Sequence, residues 1–147
     1  MSQARLHTEI VALSKADNWE AAVTEWRLEH VHMSETPDTC LCGHYPIMEI
    51  CTIKNRENGA ETEVGNSCVN NFMGLGSENL FASLRKVKVD AGASLNPDVI
   101  EWAFERRIIT TWEHDFYLDI WRKRNLTPRQ REFKLKINAK VMAKVTR

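Results

Sequence analysis

Apolar side chains recur at helical spacing toward both ends of the chain and take on strand character only in the middle. Over residues 3–15, Leu6, Ile10, Val11 and Leu13 fall roughly on one side of a helix. A second helix is predicted over residues 19–31, with Asp17 or Asn18 as its cap and Trp19, Ala22, Val23, Trp26 and Val31 at helical spacing. Residues 33–39, which include Pro37, read as a polar connector. Residues 47–53 mix apolar and β-branched side chains and predict a strand. Asn58-Gly59 predicts a turn, because both residues tolerate positive φ, and residues 60–64 then form the return strand. Gly65 breaks that strand, and Asn66-Ser67 can cap a short helix carrying Cys68, Val69 and Phe72, which Gly74 and Gly76 end.

The remainder is helical after residues 80–89, which fit either a strand or a helix. Asn96-Pro97 places a cap before a proline at the first helical position and starts a helix to about residue 109. Thr110 or Thr111 caps the next helix, to residue 124. Thr127 and Gln130 have the spacing of a capping box, and the last helix runs over residues 128–145. Trp102, Trp112 and Trp121 sit among apolar residues and are expected in the core. Glu113, His114 and Asp115 are adjacent on a helix, so they are expected to point apart on a solvated face. The expected fold class is α+β, mainly helical, with a small central β-hairpin. Residues 1–147 are expected to form one domain, with helices over 1–33, the hairpin module over 38–75 and a helical part over 78–147.

Composition narrows the setting. Hydrophobic residues make up 43% of 147, enough for a core of ordinary size. No run of eighteen apolar residues signals a membrane span, and the first thirty residues lack the basic start and apolar stretch of a secretory leader. A cytoplasmic protein is expected. In a reducing compartment its four cysteines suit metal binding better than disulfides.

Cys40-Leu41-Cys42-Gly43-His44 is followed after 24 residues by Cys68. A bend at Gly43 can bring the nearby donors together, the hairpin carries the chain out and back, and Cys68 arrives at a helix start. These are the parts of a treble-clef-like module around a structural Zn2+. Cys40, Cys42 and Cys68 are three ligands. His44 is the first choice for the fourth, Cys51 the second, and His30 or His32 the third. At Cys51, flanked by Ile50 and Ile53, an ordinary buried thiol is the expected state.

The stretch Cys40, Cys42, Gly43, His44, Pro46, Ile47, then Ile53 and Asn55, then Val64, Gly65, Cys68 and Val69 resembles a zinc-finger module found in small phage, mobile-element and bacterial proteins. The resemblance covers about a quarter of the chain and implies metal binding and a treble-clef-like fold rather than an activity.

Charge adds a second theme. The net charge is zero, yet residues 1–80 hold 5 Lys/Arg against 12 Asp/Glu, and residues 81–147 hold 15 against 8. Residues 121–147 contain ten basic residues and one acid, Glu132. On the last helix Phe133, Ile137 and Val141 form an apolar stripe flanked by Leu135 and Met142, with Lys136, Lys140 and Lys144 beside it. Arg122, Lys123, Arg124, Arg129, Lys136, Lys140 and Lys144 are the candidate contacts to DNA or RNA phosphates. The alternative partner is a protein, the chain acting as an adaptor or inhibitor of a polymerase, nuclease or defence complex, for which the acidic first part is suited. No small-molecule substrate is expected. No His-Asn-His arrangement, H-E-x-x-H motif or phosphate loop supports a catalytic reading.

Overall fold

The computed structural model describes residues 3–147 and divides into two compact units. One runs to Glu78 and includes Thr146 and Arg147; the other is Asn79–Val145. The fold is α+β and mainly helical, with one small antiparallel sheet among the described residues.

In the first unit, α1 (Gln3–Leu13) buries Leu6 and Ile10. Asn18 caps α2 (Trp19–Ala22) by accepting the Ala21 N–H at 3.0 Å. A 3-10 turn, Val23–Glu25, then leads into β1 (Trp26–Asp38). The sheet order is β1-β2-β3, with β2 (Ile47–Asn55) between β1 and β3 (Glu61–Gly65). The predicted hairpin is therefore present, but it belongs to a three-stranded sheet.

Strand β1 overturns the second half of the helix expected over residues 19–31, which is α-helical only to Ala22 and 3-10 to Glu25, and the connector expected over residues 33–39. The physical reason is a bulge. Leu28 pairs with Ile53 and His30 with Thr52, so Glu29 is an extra residue on β1. Before it the inward positions are Trp26 and Leu28; after it they are Val31 and Met33. The bulge shifts the buried face by one residue and breaks the alternation that marks a strand. Met33 also bridges Thr146, and the Arg147 guanidinium pairs with the Glu63 carboxylate, Nη1 to Oε1 at 3.1 Å.

Residues 66–76 continue from β3 as a short helical segment. α3 (Asn66–Cys68) runs into a π-helical turn, Val69–Met73, which Gly74 ends at φ +65°.

The second unit is helical. Residues 80–89 lie within α4 (Ser77–Val89), which settles the strand-or-helix ambiguity. α5 (Pro97–Glu105) has Asn96 as its cap, and α6 (Thr111–Ile120) has a complete capping box between Thr110 and Glu113. At the start of α7 (Pro128–Val145), Thr127 and Gln130 exchange bonds of 3.0 and 3.1 Å. Phe81, Leu84, Val99, Ile100, Ile120, Ile137 and Val141 are buried. Trp102 is buried as expected, but Trp112 is 56% exposed and stacks on Phe116, so it is a surface aromatic. No helix among the described residues is long and apolar enough to cross a membrane.

Candidate metal centre

The first two cysteines lie in a tight turn that joins β1 to β2. The Cys40 N–H donates to the His44 carbonyl at 2.9 Å and the Gly43 N–H to the Cys40 carbonyl at 2.8 Å. Gly43 sits at φ +91°, and a Cβ there would lie 2.5 Å from Nη1 of Arg5. The positive φ calls for glycine; the close approach is to the flexible end of the Arg5 side chain, which can move aside. A cis Tyr45–Pro46 bond follows, and the chain enters β2 at Ile47.

The third cysteine arrives from the far side of the hairpin. Gly65 ends β3 and is itself the N-cap of α3, with extended backbone and no side-chain cap. Asn66, expected to cap, is buried instead. Its Nδ2 donates to Glu49 and Glu78 at 3.1 and 2.8 Å, and its Oδ1 accepts from Ser77 Oγ at 2.6 Å. This network holds the start of α3 against β2. Cys68 is the last residue of α3.

The three sulfurs of Cys40, Cys42 and Cys68 converge within 4.8 Å of one another, and all three residues are buried. None is in a disulfide. The Gly65 N–H donates to Cys40 Sγ at 3.2 Å, and the Cys42 N–H also donates to it. Burial raises the thiol pKa values of Cys40 and Cys68 above the ordinary range, because a lone thiolate there would be poorly solvated. A cation among the sulfurs reverses that preference. The cluster can hold a metal ion.

His44 lies outside the cysteine cluster. It is exposed, and it lines a cavity of about 280 Å³ together with Cys40, Cys68, Glu49 and Asn66. Cys51 is fully buried on β2, paired across the sheet with Val31 and Val64, and is not part of the cluster. Burial pushes its thiol up to about 12. His30 and His32 are on β1 rather than at a helix end, with their rings 4.4 Å apart, and neither joins the cluster.

The candidate phosphate contacts occupy varied environments. Arg122, Lys123 and Arg124 are exposed, with Arg122 over the Trp121 ring and Lys123 3.7 Å from Asp119. Arg129 lies over Phe133. Lys136 pairs with Glu132 at 3.2 Å and Lys140 with Glu113 at 2.7 Å, while Lys144 is exposed. The buried face of α7 is Lys134, Ile137, Asn138, Val141 and Val145, and Phe133 is only half-buried. The apolar stripe of the sequence is thus interrupted by two polar residues, and Lys134 was missing from the candidates.

Glu113, His114 and Asp115 do not all point apart. His114 Nδ1 is 2.8 Å from Asp115, and its Nε2 is 2.8 Å from Glu101 on α5. The expectation of three diverging side chains fails because the ring bonds the next residue, Asp115, and reaches across to Glu101 on a neighbouring helix.

Comparison of the chain with protein-family models, with curated proteins and with solved structures finds no match.

Proposed function

We propose that the chain is a zinc-stabilised, nucleic-acid-associated binding protein, with Cys40, Cys42 and Cys68 as ligands of one structural Zn2+ in a treble-clef-like module and His44 as the fourth. The observation that carries the metal is the convergence of three buried sulfurs. In a tetrahedral site with Zn–S bonds near 2.3 Å, sulfurs lie about 3.8 Å apart. Cys42 and Cys68 stand at 3.5 Å, and the whole set is within 4.8 Å. Three thiolates with one imidazole favour zinc over hard cations. His44 is assigned because it lines the cavity beside Cys40 and Cys68. The module that resembles this stretch supports the same metal.

Nucleic acid is the partner because basic residues outnumber acids by ten to one over residues 121–147. Arg122 and Arg124, just past the end of α6, are exposed and would be open to a polyanion. Fluorescence anisotropy with duplex DNA and with single-stranded RNA across a salt series tests this. Affinity is expected to fall with salt, with a slope of about −0.9 per phosphate neutralised on duplex DNA. Replacing Arg122, Lys123 and Arg124 by Gln should weaken binding and flatten that slope. Absence of binding even at low salt would overturn the reading. The acidic bias of residues 1–80 favours the second reading, a protein adaptor or inhibitor. A protein partner that survives nuclease treatment in a pull-down would then replace the first.

A further inference from the structure

A lysine on the inward face of α7 is unexpected. Lys134 is only 7% exposed, and it shares that face with Ile137, Asn138, Val141 and Val145. Among the described residues its ammonium makes no hydrogen bond and no ion pair. The stem packs on this face while the ammonium keeps access to solvent, and an apolar residue would serve that packing at least as well. Burial pulls the Lys134 pKa down; the nearby Asp90 charge opposes this and Arg131 adds to it.

Lys134 lines a cavity of about 190 Å³ whose other walls include Lys123, Arg124, Arg131 and Gly92. Four of the residues that line this space are basic and none is acidic. Arg124 and Arg131, like Lys134, have no hydrogen-bonded or ion-paired side-chain partner among the described residues. Only Lys123 has one, the exposed Asp119 at 3.7 Å, and such surface pairs hold weakly. One side of the cavity is fixed. Asn138 Nδ2 donates to the carbonyls of Ala91 and Ala93, both at 2.8 Å, and the Tyr117 hydroxyl donates to Asn138 Oδ1 at 2.6 Å. The 90–94 loop that carries Gly92 is therefore held on α7 before any ligand arrives.

We propose that this cavity seats one phosphate group, received by Arg124, Arg131 and Lys134 with Lys123 at the rim. Guanidinium forks suit phosphate oxygens, and the Lys134 ammonium, on a stem held by packing, supplies a point charge. The volume is below the roughly 300–1,000 Å³ of pockets that enclose a whole small molecule, so the group enters as part of something larger or as a free ion. The seat deepens the nucleic-acid reading and rests on it for the source of the phosphate, a backbone diester. A free phosphate or a phosphate monoester would present the same chemistry.

The test uses the full chain as wild type, Lys134→Met and Arg131→Gln. Thermal stability is measured with sodium phosphate and with sodium chloride at equal ionic strength, and affinity for a duplex without terminal phosphates by anisotropy. The seat predicts that phosphate stabilises the wild type more than chloride does and that both variants lose this increment. Duplex affinity should fall about tenfold in each variant. Lys134→Met should melt at or above the wild-type temperature without phosphate, because it keeps the packed stem and removes a cation crowded by Arg131. A structural lysine would instead give a lower melting temperature. If both variants bind duplex and phosphate as the wild type does, the seat is wrong and the nucleic-acid reading survives. If duplex fails to bind but phosphate stabilises in a Lys134-dependent way, the seat stands with a free phosphate or monoester as ligand, and the nucleic-acid reading falls. Loss of both responses in the wild type overturns both.

Discussion

Cys68 Sγ lies 3.5 Å from Cys42 Sγ, across 26 residues of sequence that fold out and back as a hairpin. The contact depends on two glycines. Gly43 allows the turn that presents Cys42, and Gly65 brings the end of β3 against Cys40, where a Cβ would stand 3.6 Å from Cys40 Sγ and 3.2 Å from Ile47. The hairpin is the arm that returns the third sulfur to the first two.

The fourth donor is separable by mutation. His44→Ala should lower zinc content and affinity, as Cys42→Ser and Cys68→Ser do. Cys51→Ala should keep full zinc and lose about 1 kcal/mol, the typical cost of a modest core change. Metal analysis beside thermal melts of the four variants checks this. Full zinc in His44→Ala with loss in Cys51→Ala would reverse the assignment.

Tyr117 on α6 links Leu95, just before α5, to α7. Its hydroxyl accepts the Leu95 N–H at 2.9 Å and donates to Asn138. Tyr117→Phe leaves both partners unsatisfied and should cost about 1–3 kcal/mol in denaturant unfolding. Burial pushes the phenol from 10.0 up to about 12. The stability it contributes is fully present below pH 10 and is lost as pH rises through 12, because the unfolded phenol ionises first. An absorbance titration should show a high-pH tyrosine step that is missing in Tyr117→Phe.

His114 sits between Asp115, its main influence, and Glu101, and these carboxylates raise its pKa above the ordinary 6.5. Its contribution is therefore present below that value and fades as pH rises through the folded pKa. Solvent screening at the exposed carboxylates keeps it below about 1 kcal/mol. The melting-temperature gap between wild type and His114→Gln should narrow from pH 6 to pH 8. A gap independent of pH would show that the imidazole is held by packing on Phe104, whose ring centroid lies 4.4 Å away, rather than by charge.

Local signals carried much of the fold. The caps at Asn96, Thr110 and Thr127 depend on residues three positions apart, so their helices could be placed from sequence. The Asn58-Gly59 hairpin was legible for the same reason, and so was the clustering of Cys40, Cys42 and Cys68 around it. What failed was non-local. The Glu29 bulge moved the buried face of β1 from Trp26 and Leu28 to Val31 and Met33, and the blurred pattern imitated a helix. Lys134 looked like one more surface cation, although Ile137 and Val141, three and seven residues on, share its face; its charge masked that spacing. Arg147 lay in the basic tail by sequence, yet Glu63 on β3 holds it.

The metal content of the full chain, purified without added metal and weighed intact under native conditions, tests the central claim most directly. One zinc per chain is expected, released on chelation together with a drop in melting temperature, since binding energy at such a site is also folding energy. A metal-free chain that stays folded, with a melting temperature unchanged by zinc or by chelator, would contradict it.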